Sequence, residues 1–337
     1  MAAPAPAPSG GGTLVVQTAF LGDVILTTGL LSALAERLGP VDVLVRPAAA
    51  ALIEKHPAVR SVITYDKRGQ DRGTAGFTRV AERLRLRQYS RAYLPHGSFR
   101  SALLARWAGI GERIGFDDAS GAWLYTVRVN RPHDVHEAER LLALARPRKG
   151  TKATLALHLT EDDRAVAYAW LAARGIGDGF VALAPGSVWG TKRWPGYADL
   201  ARMLPGRVVV IGGPEDRDLA QNIVTAAPDR VVSAAGDVSL RVSAALIERA
   251  AVLVTNDSAP LHMASAIGTP VVAIFGPTSP GFGFGPRGDR VGIVEHGDLT
   301  CRPCSPHGPM RCPLGHHRCM REITAVTVRG VVEALTT

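Results

Sequence analysis

Four stretches of this chain hold residue types that can bind and transfer a charged group. In the first, Asn256-Asp257-Ser258 follows an apolar, β-branched run at 251–255. A short helical segment comes next, with Pro260 in its first turn and Gly268 and Pro270 at its end, and then a second apolar run at 271–275. Strand, polar turn, helix and strand make one half of a doubly wound parallel sheet, whose ligands bind at the carboxyl ends of the strands. A helix N-terminus there offers N–H groups and a positive dipole end, which suits a phosphate. Asp257 also reads as a plain helix cap and His262 as an ordinary packed histidine; both gain a binding role from falling at a strand end.

The second stretch is the loop 185–195, PGSVWGTKRWP, after an apolar run at 180–184. Glycines, the hydroxyls of Ser187 and Thr191, and the cations Lys192 and Arg193 are what a phosphate site needs, although a surface loop has the same composition. The third is Gly212-Gly213-Pro214-Glu215-Asp216, leaving the run 207–211. A carboxylate at such a strand exit can bind ribose hydroxyls. The fourth is Ala19-Phe20-Leu21-Gly22-Asp23, after a compact strand at 13–18. It places Asp23 at a strand-to-helix turn, as an N-cap or as a carboxylate at the mouth of a site.

Secondary structure predicted from periodicity supports these placements. A helix over 24–38 is followed by strands at 41–45 and 61–65. A basic helical segment covers 79–91, a strand 92–94 leads to the loop Pro95-His96-Gly97-Ser98, a helix covers 101–108, and a strand 112–116 follows. Helices are predicted over 133–145, 161–174, 197–204, 216–226 and 240–250, with a short strand at 231–233. The fold class is α/β. At 337 residues two domains are the natural expectation, with 13–150 as the first and 151–325 as the second, joined near 146–152. Residues 1–12, rich in Pro, Ala and Gly, read as a disordered tail and lack the basic and apolar regions of a signal peptide. No apolar run reaches the roughly 18 residues that span a bilayer, so a cytoplasmic location is expected.

The net charge of +9 is unevenly placed. Residues 1–150 hold 21 Lys and Arg against 13 Asp and Glu, and the remainder 18 against 17. Arg72, Arg79, Arg83, Arg85, Arg87 and Arg91 form a dense part of the excess. They suit either a solvated helix face or a surface that meets an acidic partner. All four cysteines lie at Cys301, Cys304, Cys312 and Cys319, among His307, His316 and His317. A C-x2-C pair with two more cysteines in a short Pro/Gly-rich segment points to a structural zinc site; disulfides and free thiols are the alternatives. Gly281-Phe282-Gly283-Phe284-Gly285-Pro286 lacks the spacing of a dinucleotide fingerprint, which argues against an NAD-dependent oxidoreductase.

Taken in order, LVVQTAFLGDVILTTGLLSAL, LAPGSVWGTKRWPGYADLA, VVVIGGPEDRDLA and TNDSAPLHMASAIGTPVVAIFGPTSP resemble glycosyltransferase family 9, the ADP-heptose:lipopolysaccharide heptosyltransferases, over about residues 13–335. The resemblance implies a GT-B architecture: two Rossmann-like doubly wound domains facing a cleft, acceptor on the first and sugar nucleotide on the second. A last helix, 326–337, would cross back to the first domain, and a Cys-rich insert would occupy 299–320. It further implies Asp23 as the base for the acceptor hydroxyl, Lys192 with Ser187 on the diphosphate, Glu215 on the ribose, and Asp257, Ser258 and His262 on phosphate and sugar. Ala259 stands where that motif usually has glycine. No DxD pair suited to a divalent metal lies near the diphosphate residues, so transfer of a heptose or related sugar without a catalytic cofactor, with inversion, is expected. The expected partners are an ADP-sugar donor and an anionic saccharide-lipid acceptor of the lipopolysaccharide-core kind, with peripheral contact at the cytoplasmic face of the inner membrane. Nucleic acid is not expected, and the rivals are a glycosyltransferase of the same fold with another nucleotide sugar and a non-enzymatic nucleotide-sugar or nucleic-acid binding protein.

Overall fold

The computed structural model describes residues 11–337, and the chain divides into two compact units between His158 and Leu159. The expected tail 1–12 thus lies outside the described residues except for its last two. Of these, Gly12 accepts a hydrogen bond from Ser90 N–H at 3.1 Å.

The first unit is built on β1 (Thr13–Gln17), β2 (Val41–Val45), β3 (Val59–Thr64), β4 (Arg91–Leu94), β5 (Glu112–Phe116) and β6 (Val127–Val129). They form one parallel sheet in the order β3-β2-β1-β4-β5-β6. The second unit has β7 (Val181–Ala184), β8 (Val208–Val210), β9 (Val231–Ser233), β10 (Val252–Asn256), β11 (Val271–Phe275) and β12 (Val291–Glu295), also all parallel, in the order β12-β11-β10-β7-β8-β9. Each unit therefore has the doubly wound arrangement expected for a GT-B protein. The strand order reverses between β1 and β4 in one sheet and between β7 and β10 in the other. Every residue of β1, β2, β7, β10 and β11 is buried, as strands covered by helices on both faces must be.

Several local expectations are corrected. The helix predicted over 24–38 is two helices, Leu21–Leu26 and Thr28–Leu38. At the break the Thr27 hydroxyl donates to Asp23 O at 2.7 Å and that of Thr28 to Ile25 O at 2.7 Å, so side chains compete for helical carbonyls. The basic helix runs over Gly73–Arg85 rather than 79–91, and the helix sought at 133–145 is confined to Glu137–Ala143. Edge strands β6 and β12 were not foreseen; β6 is three residues with an arginine in the middle, too short for alternation to register.

The boundary lies later than 150. Ala156 N–H donates to Thr28 Oγ1 at 3.1 Å and Ala153 N–H to the Glu139 carboxylate at 3.0 Å, so the segment before His158 belongs to the first unit. The last helix, Ala325–Thr336, was expected to cross to the first unit. Its buried face, Val328 and Val332, is part of the second unit's core, and Val331 packs so closely on Gly292 that a Cβ there would lie 2.3 Å away.

Much of the arginine excess between 60 and 91 is structural. Asp42 on β2 is 1% exposed and accepts from Arg60 at 2.8 Å, from Arg87 at 3.0 Å and from the Tyr89 hydroxyl. Arg79 pairs with buried Asp71 at 2.8 Å, and Arg91 with Glu112 at 3.3 Å. Of the helix-face and acidic-partner alternatives, the sequence left both open; here at least three of these guanidiniums hold the unit's own carboxylates. No helix among the described residues is long and apolar enough to cross a membrane.

Candidate active site

In the second unit the loops after β7 and β10, neighbours at the reversal of strand order, are tied together by one side chain. Asn256, the last residue of β10, is fully buried. Its amide donates to Pro185 O at 2.8 Å, and its Oδ1 accepts from Trp194 N–H at 3.2 Å and the Tyr197 hydroxyl at 3.1 Å. An amide has donors and acceptors enough for all three. Both ends of loop 185–194 are thereby fixed to β10, and the turn between them, Gly190–Lys192, projects Lys192 toward the next residue, Asp257. The ammonium lies 2.6 Å from Asp257 Oδ2, with each side chain 9% exposed. Thr278, beyond β11, donates its hydroxyl to the same oxygen at 2.8 Å. A buried ion pair needs such further hydrogen bonds to offset desolvation.

This geometry distributes the predicted donor residues unequally. Lys192 and Asp257 are brought together. Asp257 is therefore a fixed anion that orients the lysine; a second anion would be repelled by it and attracted by the remaining ammonium protons. Ser187 stays on the same loop, half-buried, its Oγ accepting from Trp189 N–H at 3.3 Å. Ser258 is the N-cap of helix Ala259–Ile267; its side chain makes no cap bond and lies 3.3 Å from Thr255 Oγ1. In the first turn of that helix Pro260 has no N–H and Leu261 N–H is bonded to Ser258 O, so the anion-binding capacity expected of this terminus is narrowed and Lys192 carries more of it. Ala259 is the helix's first residue and His262 is buried within it.

Glu215 is exposed beside Gly213, at the exit of β8. Its neighbour Asp216 is the acid turned inward. Asp216 accepts from Gly213 N–H at 3.0 Å, and a Cβ on Gly186 would lie 2.4 Å from its carboxylate, so only glycine fits there. Burial raises the Asp216 carboxyl above its usual range against the pull of that hydrogen bond. Sequence reasoning passed over Asp216 because the two acids are adjacent and only the fold says which faces the loop after β7.

In the first unit Asp23 sits three residues into helix Leu21–Leu26, not at its cap; its half-buried carboxylate accepts from Phe20 N–H at 3.0 Å. Its charge is felt by Glu137, whose carboxyl is raised by burial, lowered by Arg131 and Arg140, and raised again by Asp23. Lys67 donates to Thr18 O, on the exit from β1, at 3.2 Å. Burial and the nearby Arg46, Arg68 and Arg100 depress the Lys67 ammonium's pKa. Arg46, Lys67 and Arg68 line a shallow pocket with Tyr65, to whose hydroxyl Arg100 donates at 3.0 Å. This basic group at the carboxyl edge was missed because its members come from three separate segments.

The four cysteines are free thiols, and among the described residues no three His, Cys, Asp or Glu side chains are grouped so as to hold a metal ion. The thiols are near enough to act on one another: Cys319 is pushed up to about 11 by burial and by the other three.

Residues 77–312, well over half the chain, match the model of Glycosyltransferase family 9 (heptosyltransferase). The chain belongs to glycosyltransferase family 9. Within that family it is 28% identical over 303 residues to lipopolysaccharide heptosyltransferase 2 of Escherichia coli K12, covering 80% of this chain and 84% of the relative. It is 28% identical over 310 residues to lipooligosaccharide heptosyltransferase 2 of Haemophilus influenzae, covering 84% and 88%. Among solved structures it resembles the E. coli ADP-heptose lps heptosyltransferase II, with a TM-score of 0.78, 25% identity and 96% and 98% of the two chains covered. A family 9 protein of Veillonella parvula, at a TM-score of 0.83, 22% identity and 98% and 99% coverage, shares the fold. The family makes the chain a glycosyltransferase, so the oxidoreductase and the non-enzymatic alternatives fall.

Proposed function

We propose that this protein transfers a heptose from an ADP-sugar to a lipopolysaccharide-core acceptor, with inversion and without a catalytic metal. The observation that carries the donor side is the buried Lys192–Asp257 pair at the reversal of the second sheet, 2.6 Å long and braced by Thr278. A lysine so placed can stabilise charge on a departing diphosphate. Ser187 and Ser258 supply hydroxyls nearby, Glu215 and Asp216 are the carboxylates for ribose, and His262 lines the helix that follows. The relatives' names, which specify heptose, ADP-heptose and lipopolysaccharide, support this donor and acceptor. Asp23 supplies the base: a half-buried carboxylate after the first strand can take the acceptor hydroxyl proton as the oxygen attacks the sugar carbon opposite the diphosphate. The group around Lys67 suits an acceptor that carries phosphates or carboxylates, and it would serve equally at the anionic cytoplasmic face of an inner membrane.

The test is turnover of ADP-heptose with heptose-deficient lipopolysaccharide, beside ADP binding. Lys192→Ala should weaken ADP binding by about 10- to 150-fold, the cost of losing charge-assisted hydrogen bonds. An unchanged dissociation constant would remove Lys192 from the diphosphate site. One structural zinc on Cys301, Cys304, Cys312 and Cys319 is proposed from their spacing in the sequence. Zinc binding would have to draw the sulfurs together. Metal analysis of protein purified without an affinity metal should find one zinc per chain, and four titratable thiols in metal-free protein would end the idea.

A further inference from the structure

We propose that the cysteine-bearing segment is a strap that positions Lys192 and Asp257, with His317 and Arg302 as its positioning residues. This rests on the donor site proposed above. The strap is anchored at both ends: Leu299 and Cys301 at one end, and Cys319, Met320 and Ile323 at the other, pack in or against the core of the second unit. Between its anchors it grips the lysine turn. Pro309 O accepts from the Thr191 hydroxyl at 2.5 Å, and His317 Nε2 lies 2.8 Å from Thr191 O. A carbonyl oxygen only accepts, so Nε2 carries the proton and donates. Gly190 is so close that a Cβ there would be 2.5 Å from Met310 O. Thr191 is the residue before Lys192, and both of its free polar groups are thus held by the strap.

The strap holds the other half of the pair as well. Arg302 donates to Gly276 O at 2.6 Å and to Thr278 O at 2.9 Å, and its charge is met by Glu295 at 2.6 Å. Cys304 N–H donates to Pro277 O at 2.8 Å. These bonds fix the backbone of 276–278, whose Thr278 hydroxyl donates to Asp257. One segment therefore sets the lysine from the side of Thr191 and the aspartate from the side of Thr278. The lysine's position is sensitive to such distant support because a charged group must sit within a fraction of an ångström of the forming charge. His317 has a positive φ of 49° at the start of helix Arg318–Arg321, a conformation held by the packing of Cys319 and Met320 just after it.

The experiment measures donor and acceptor KM, kcat, ADP affinity and melting temperature for His317→Ala, Arg302→Ala, Thr191→Val and the conservative His317→Gln, with Lys192→Ala as the reference. The strap predicts that His317→Ala and Thr191→Val each raise donor KM and the ADP dissociation constant about five- to tenfold, one hydrogen bond's worth of alignment. Acceptor KM should stay unchanged, and Gln, whose amide N–H reaches as far as Nε2, should restore most of the loss. Arg302→Ala should act in the same direction. If Lys192→Ala weakens ADP but His317→Ala and Thr191→Val melt near the parent and bind ADP normally, the strap is overturned while the donor site stands. If Lys192→Ala itself leaves ADP binding unchanged, the donor reading fails first. Should His317→Ala fail to fold, Thr191→Val, which cuts the hydroxyl bond without removing packing volume, decides alone.

Discussion

The two units share one strand order and one switch point, yet they present different charges there. After β1 the chain turns directly into helix Leu21–Leu26 and leaves a carboxylate, Asp23, half-buried. After β7 it makes a connection of twelve residues, 185–196, before the next α-helix and leaves an ammonium, Lys192, buried against Asp257. A carboxylate reached by solvent can take a proton. An ammonium paired in a dry site, and held by a strap, can hold an anion in place. The strands supply only the platform; the length and composition of the loops at one edge decide which charge is presented and how firmly.

The charges away from these edges differ in the same sense. In the first unit Asp42 is a buried carboxylate near the amino end of β2 that neutralises Arg60 and Arg87, and it is not at a strand exit. In the second, the buried charge lies at the exit. Removing each should therefore break different things. The largest effect is expected from Asp42→Ala, which leaves two arginines and the Tyr89 hydroxyl without their acceptor. It should lower folding stability by about 3 kcal/mol, read by denaturant unfolding, with ADP affinity of the folded protein unchanged. A loss of ADP affinity at full stability would mean that the first unit's ion pairs are not merely structural.

Next in size is Asp257→Asn. It keeps the shape but removes the charge that orients Lys192, and should weaken ADP binding about tenfold, read by calorimetric titration, and lower the melting temperature as well because the buried ammonium loses its counter-charge. Tighter ADP binding would show instead that Asp257 competes with the diphosphate for the lysine. The smallest effect belongs to the basic group of the first unit. Lys67→Ala should raise acceptor KM several-fold at low salt, and the difference should shrink as ionic strength rises past about 0.15 M. A salt-independent effect would place Lys67 in packing around Thr18 rather than in acceptor encounter.

Much of this plan was legible in the sequence, because apolar runs ending in polar turns mark parallel strands and their exits. The runs at 180–184, 251–255 and 271–275 all became strands within a residue of where they were placed. Lys192, Asp257 and Asp23 were picked out for the same reason. What was not legible depends on contacts between distant residues. The sequence cannot show that Asn256 staples Pro185 to Trp194, that Lys192 and Asp257 touch across 65 positions, or that Asp216 rather than Glu215 turns inward. The arginines between 60 and 91 misled because a count of charge does not see that Asp42 and Asp71 are buried beneath them. The last helix was expected from the family resemblance, and its packing on β12, which depends on Gly292 leaving room for Val331, is a contact the sequence does not show.

The central claim is a division of labour: the first unit holds the base and the second holds the leaving diphosphate. Asp23→Asn tests it most directly, since Asn retains the size of the side chain and only its charge and basicity are lost. Turnover with ADP-heptose and a heptose-deficient lipopolysaccharide is measured beside ADP affinity on the same preparation. The account predicts that kcat falls by about 10²- to 10⁴-fold while ADP affinity and melting temperature stay near the parent values. Near-normal turnover would contradict it and leave Asp23 as the partner of Phe20 N–H at the start of a helix.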